Sequence, residues 1–102
     1  MAQTPEKKVK QKVVKILKEC GVYYAFPATF GFGRSGVPDI LCCYHGRFIA
    51  IECKAGSNPT TKLQQREIDH IRDSGGYAMV INEEALDSLR TFLDPFKLVK
   101  DP

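Results

Sequence analysis

Tryptophan is missing from this chain, histidine occurs twice, and the four cysteines form no C-x-x-C pair. Cys20, Cys42, Cys43 and Cys53 instead fall at apolar positions of periodic segments, where a reduced cysteine behaves as a small hydrophobe. That spacing argues against a disulfide framework, and His45 and His70 complete no zinc-ligand pattern. Missing too is any apolar run near the roughly 20 residues a bilayer span needs. The N-terminus lacks the charged-then-apolar layout of a secretory leader. These absences point to an intracellular, cytoplasmic protein with no membrane association.

What remains is an ordinary globular composition: 102 residues, 43% hydrophobic and 26% charged, with a formal net charge of +3. The length suits one domain, residues 1–102, and leaves no room for a second core. The mild positive charge fits an anionic partner without demanding one. Six lysines between Lys7 and Lys18 read either as a solvated helix face or as a contact surface for such a partner.

Punctuation along the chain sets the elements. Thr4 is placed to cap a helix, with Pro5 at its first position and Glu6 in its first turn. Val9, Val13, Ile16, Leu17 and Cys20 recur at helical spacing until Gly21 stops the run. Glu6 lies at the edge of that apolar stripe, so it either faces the protein or simply complements the helix dipole. A strand is expected over 22–26, a glycine-rich loop over 27–36, strands over 37–43 and 47–53, and a loop over 55–60. Phe30 and Phe32 in the first loop either tuck beneath it or stack on bases. A helix over 61–74, a buried strand over 77–81 and a helix over 83–93 complete the pattern; the tail 94–102 shows no clear element and reads as peripheral. The order α-β-β-β-α-β-α, with a helix between the last two strands, predicts a parallel crossover. The fold class is therefore α/β, a mixed central sheet flanked by helices.

The sharpest inference concerns the hairpin. His45 and Gly46 both tolerate positive φ, so a two-residue primed turn is feasible and pairs Tyr44 with Arg47. Counting back then pairs Leu41 with Ala50 and Asp39 with Glu52. Like charges directly opposite one another are destabilising and call for a compensating cation. Alternation puts Glu52 and Lys54 on one face, with Ile49, Ile51 and Cys53 on the other. The backbone carbonyl of Cys53 lies between the two polar positions, and carboxylate and carbonyl oxygens are the ligands that hard cations take. The competing reading is a solvated sheet face on which Lys54 neutralises Glu52.

Gly36-Val37-Pro38-Asp39, a short hairpin, Ile51-Glu52-Cys53-Lys54, a helix with an early glutamine and a closing Gly75-Gly76 strand together resemble the PD-(D/E)xK nuclease superfamily, in particular its virus-type replication-repair nuclease (VRR-NUC) domain. The likeness runs from Glu6 to about Ile81 and implies a restriction-endonuclease-like core. It implies that Asp39, Glu52 and the Cys53 carbonyl hold Mg²⁺ or Mn²⁺, and that Glu6 completes the metal shell directly or through water. It assigns Lys54 to the attacking water and the phosphate charge. The family glutamine is Gln64 or Gln65; Gln64 is preferred because it shares the inward stripe of Ile68 and Ile71.

The implied activity is metal-dependent hydrolysis of DNA phosphodiester bonds, with no small-molecule cofactor. Lys8, Lys12, Lys15, Arg34, Lys62 and Arg66 are candidate phosphate contacts. No DNA-reading motif accompanies them, so recognition by shape is expected rather than by sequence. Stand-alone members of the family resemble Holliday-junction resolvases, which implies branched DNA as substrate and a homodimer as the working form. Two other readings stand beside it: a nucleic-acid-binding relative that no longer cuts, and a redox or metal-storage protein using Cys42 and Cys43. Neighbouring strand residues point to opposite faces, which makes the last a poor dithiol site.

Overall fold

Thr4 caps the first helix, α1 (Pro5–Cys20): its side chain accepts from the Lys7 N–H, and Pro5 occupies the first turn, where its missing N–H costs nothing. Gly21 ends the helix in the left-handed region, with φ 74°. The computed structural model describes residues 3–28 and 33–97. Phe30, Phe32 and the tail positions 98–102 lie outside the described residues. After α1 come β1 (Tyr23–Ala25), β2 (Ile40–Tyr44), β3 (Arg47–Cys53), α2 (Lys62–Asp73), β4 (Tyr77–Ile81) and α3 (Leu86–Lys97). This is the expected order of elements.

The four strands form one sheet in the order β1-β2-β3-β4. The first three are antiparallel neighbours, and β4 joins β3 in parallel through α2. His45 (φ 50°) and Gly46 (φ 80°) make the primed turn between β2 and β3. That turn sets the register Tyr44↔Arg47, Cys43↔Phe48 and Leu41↔Ala50.

Alternation along β3 divides the molecule into layers. Ile49, Ile51 and Cys53 join Ile40, Cys42 and Ile81 beneath α1 and α3, whose Val13, Leu17, Leu89 and Leu93 fill the same core. Each such aliphatic side chain contributes about 1.5–3 kcal/mol on burial. On the opposite face Ile68 of α2 packs on Ala50 and Ala78, a smaller cluster whose small sheet residues let the helix approach closely. Glu52 belongs to this second face.

Two elements differ from the sequence reading by more than a residue at an end. β2 begins at Ile40, three residues later than expected, because Pro38 has no N–H to give a ladder and the Asp39 side chain is used elsewhere. α3 starts at Leu86 and runs through Pro95 to Lys97, so 94–97 is the last turn of a helix and not a structureless tail. Before it, a turn closes with the Ala85 N–H on the Asn82 carbonyl and the Glu84 N–H on the Asn82 side chain. At its end Phe96 packs on Tyr77 and Phe92, with ring centroids 5.6 and 5.1 Å apart, and Arg47 lies 4.7 Å over the Phe96 ring. Those contacts outweigh the one helical hydrogen bond that Pro95 removes.

Candidate active site

β2 and β3 part company just after Ile40↔Ile51, the last pair of their ladder. One step beyond it stand Asp39 and Glu52. The Cys53 N–H, which a continuing ladder would have satisfied, donates instead to Asp39 Oδ2 at 2.8 Å. The Asp39 carboxylate is thereby held against β3 beside Glu52. Glu52 is only 3% exposed. Burial, with the Asp39 charge adding to it, pushes its carboxyl up to about 7.

Two further groups flank that buried acid. Lys54, two residues along the same strand and 7% exposed, brings Nζ to 3.8 Å from Glu52 Oε2. Its backbone N–H donates to the Ile81 carbonyl at 3.0 Å, which carries the β3–β4 pairing one residue further and fixes the lysine stem. From α2, Gln64 Nε2 donates to Glu52 Oε2 at 3.0 Å. The other end of the same amide accepts from the Thr61 N–H at 2.9 Å, closing a capping box at the helix start. Gln65 points away, bonded to Thr60 and Asp69.

The loop entering the site is pressed onto α2. Gly36 has φ 79°, and a Cβ there would come within 2.6 Å of the Leu63 backbone and 2.8 Å of the Gln64 nitrogen. Only glycine permits both the left-handed backbone and that approach. A second tie is Glu67, a buried acid that the sequence reading did not single out: Arg34 donates to both its oxygens, at 2.7 and 3.0 Å. The clue available was its place three residues after Gln64 and next to Ile68, on the inward side of α2.

The remaining expected residues are more scattered. Glu6 is exposed in the first turn of α1, and its charge acts on both Glu52 and the Cys53 thiol. It does not join Asp39 and Glu52 in one cage: among the described residues no three acidic, thiol or imidazole groups stand together. The reason is that α1 packs on the opposite face of the sheet from Glu52. Lys8, Lys12, Lys15 and Lys62 are exposed. Arg34, expected on phosphate, is the partner of Glu67, and Arg66 Nε also lies 3.7 Å from that acid.

Residues 3–80, which include every one of these side chains, match the family described as archaeal Holliday junction resolvase (Hjc). The chain belongs to that family. It is 33% identical over 81 residues to "Putative nuclease p44" of Acyrthosiphon pisum secondary endosymbiont phage 1, across 78% of this chain and 84% of that protein. Two solved structures share the fold. One, titled "VRR_NUC domain", has a TM-score of 0.70 at 24% identity and covers 87% of this chain and 97% of its own. The other, "VRR_NUC domain protein", has a TM-score of 0.65 at 20% identity, with 99% and 94% covered. The fold of this Hjc-family chain is thus the restriction-endonuclease-like α/β fold.

Nuclease families of this type generally use divalent metal ions. The donors present here fit such an ion. Asp39 and Glu52 offer carboxylate oxygens side by side, and Glu52, pushed up to about 7 by burial first and by the Asp39 charge second, is an acid whose ionised form a cation would favour. Magnesium is commonly bound by one or two carboxylates with its remaining positions filled by water and phosphate, so a two-acid set suffices. The adjacent Cys42 and Cys43 make a poor dithiol site. Cys42 is buried and Cys43 exposed, on opposite faces. Burial pushes the Cys42 and Cys53 thiols up to about 12, which suppresses the reactive thiolate. Among the described residues no helix is long and apolar enough to cross a membrane.

Proposed function

We propose that this nuclease-family chain is a Mg²⁺- or Mn²⁺-dependent endonuclease that hydrolyses DNA phosphodiester bonds, preferring branched DNA such as four-way junctions. The observation that carries the reading is a single constellation: buried Glu52 flanked by Asp39, with the Lys54 amine 3.8 Å away and the Gln64 amide on its other side. In the proposed mechanism Asp39, Glu52 and the Cys53 carbonyl would hold the ion, and Glu6 would add its charge from the first turn of α1. When bound, a divalent ion polarises the phosphate and makes a nearby water more acidic. Lys54 orients that water and offers positive charge to the phosphate oxygens as negative charge builds on them. Gln64 fixes the Glu52 carboxylate so that one oxygen stays turned towards the site. Lys8, Lys12, Lys62 and Arg66 supply sequence-independent phosphate contacts.

A homodimer suits this substrate, since a two-fold pair sets two sites on a symmetric junction. In support, β1 leaves an apolar row uncovered. Tyr23, Cys43 and Phe48 are paired side by side across three strands, with Tyr23 71% and Phe48 45% exposed. The deciding experiment incubates the purified protein with labelled four-way junction, flap and linear duplex, with Mg²⁺, Mn²⁺ or EDTA. Junction cleavage that EDTA stops is the expected result. Binding without cleavage under every ion would make the chain a DNA-binding relative and end the nuclease reading. Sedimentation velocity at micromolar concentration should show a dimer; a monomer that cuts linear duplex as well as junction removes the branched-DNA preference.

A further inference from the structure

One strongly charged surface plays no part in the site above. A groove of about 530 Å³ runs beside α1, lined by Lys7, Lys10, Lys15 and Lys18 and the ring of Phe26, with Val14 among its walls. None of its lining residues is acidic. The lysines follow the solvent side of the helix for three turns, about 16 Å along its axis. Lys8 and Lys12 are not among them; they share the stripe of Glu19, whose carboxylate is tied to Arg90 of α3 at 2.6 Å. Four of the six α1 lysines therefore line the groove.

Two features distinguish this flank from a merely solvated helix face. Phe26 is 50% exposed where β1 ends, and Lys10 Nζ sits 4.3 Å above its ring. The groove opens towards the first turn of α1, where Lys7 follows Glu6. A duplex would use the lysines but not the ring, because its bases are stacked and paired. An unpaired strand presents both phosphates and a free π-face, and electropositive grooves with an aromatic platform are how single strands are held.

We propose that the α1 groove is a tract for unpaired DNA, with Lys7, Lys10, Lys15 and Lys18 on successive phosphates and Phe26 under a base. This rests on the nuclease reading and refines it: the preferred substrate carries a single-stranded segment next to the cut, as at a flap or an opened branch point. The strand runs along the groove between the Lys18 end and the Lys7 end.

The test measures binding in EDTA by fluorescence anisotropy, using a blunt duplex, the same duplex with a short oligo-dT tail, and oligo-dT alone. The tail is expected to tighten binding by about fivefold or more, the value of one stacked base. Phe26→Ala should lose that gain and Phe26→Tyr should keep it, while both bind the blunt duplex as the parent does. Replacing the four lysines together with glutamine should lower the salt slope of tail binding by about 3, at about 0.7 per phosphate on a single strand. Equal binding of tailed and blunt duplex, or equal behaviour of Phe26→Ala and Phe26→Tyr, overturns the proposal. So does displacement of the tail by poly-glutamate at matched charge, which would make the groove a general polyanion surface. Because no divalent ion is present, these failures are separate from a failure of cleavage. An intact tail effect in a protein that never cuts would sink the nuclease reading alone.

Discussion

Gln64 joins the start of α2 to the buried acid of β3: its amide nitrogen donates to Glu52 Oε2 at 3.0 Å, while its amide oxygen accepts from the Thr61 N–H at 2.9 Å. One side chain thus has a structural end and a site-facing end, and two substitutions separate them. Glutamate can still close the capping box but has no N–H to give Glu52, and it adds a third negative charge. Gln64→Glu is expected to keep the cap but to lose some stability near neutrality to its contact with Glu52, while cleavage falls about 10–100-fold, the usual range for a group that orients a metal ligand. Gln64→Ala should lose that activity and also about 0.5–2 kcal/mol of stability with the cap. Equal cleavage by parent and Gln64→Glu would remove Gln64 from the site.

The acids and the amine should also separate by what they bind. Lys54 is not a metal ligand in the proposed mechanism, so Lys54→Ala is expected to keep most Mn²⁺ affinity while cleavage drops about 10²–10⁴-fold, the typical worth of a positioned proton-handling group. Asp39→Ala should abolish the Mn²⁺ heat in calorimetry along with cleavage. It also leaves the Cys53 N–H without the carboxylate that now accepts from it. A Lys54→Ala protein that cuts at the parent rate would exclude the lysine from the chemistry.

The hairpin was readable because two local rules agree. His45-Gly46 fixes the turn, and the apolar alternation of Ile49, Ile51 and Cys53 admits only one register. Asp39 beside Glu52 follows from counting. What counting could not show is that the ladder ends at Ile40 and that the Asp39 side chain takes over a backbone partner. Glu67 was illegible for a related reason. A buried acid on a helix looks like any exposed one until its partner is known, and Arg34 is distant in sequence and carried by a loop. The start of the tail differed in the opposite direction, since 94–97 showed no clear element in the sequence and is helix. Proline usually ends a helix, but here the stacking of Phe96 on Phe92 and Tyr77 holds one further turn.

Gly36 gives a prediction about how the loop carrying Asp39 is seated. An alanine there would need a left-handed backbone, which costs about 1–2 kcal/mol. Its Cβ would also meet the Leu63 carbonyl carbon at 2.6 Å, and that neighbour is backbone and cannot swing aside. Overpacking of this kind typically adds about 1–3 kcal/mol. Gly36→Ala is thus expected to lose about 2–5 kcal/mol in urea unfolding and, in the folded fraction, to weaken Mn²⁺ binding as Asp39 moves with the loop. A loss under about 1 kcal/mol, below either single cost, would mean that the loop does not press on α2 in solution.

The Arg34–Glu67 tie should make stability depend on acid in a particular way. The hydrogen bonds from Arg34 outweigh burial and hold the Glu67 carboxyl below its usual range. A carboxylate whose folded value lies below its unfolded value stabilises the fold at pH above the unfolded value. That contribution disappears as pH falls through the folded one. Glu67→Gln keeps the shape of the side chain but cannot ionise, so it lacks this contribution at every pH. The melting temperatures of parent and Glu67→Gln are therefore expected to differ most near neutrality and to converge as the pH drops from about 5 towards 3. Arg34→Lys, which cannot bond both oxygens in the same planar fork, should fall between the two near neutrality. Melting curves of parent and Glu67→Gln that stay a constant distance apart down to about pH 3 would show that the pair contributes shape and not charge, and that the loop carrying Asp39 is held by Gly36 alone.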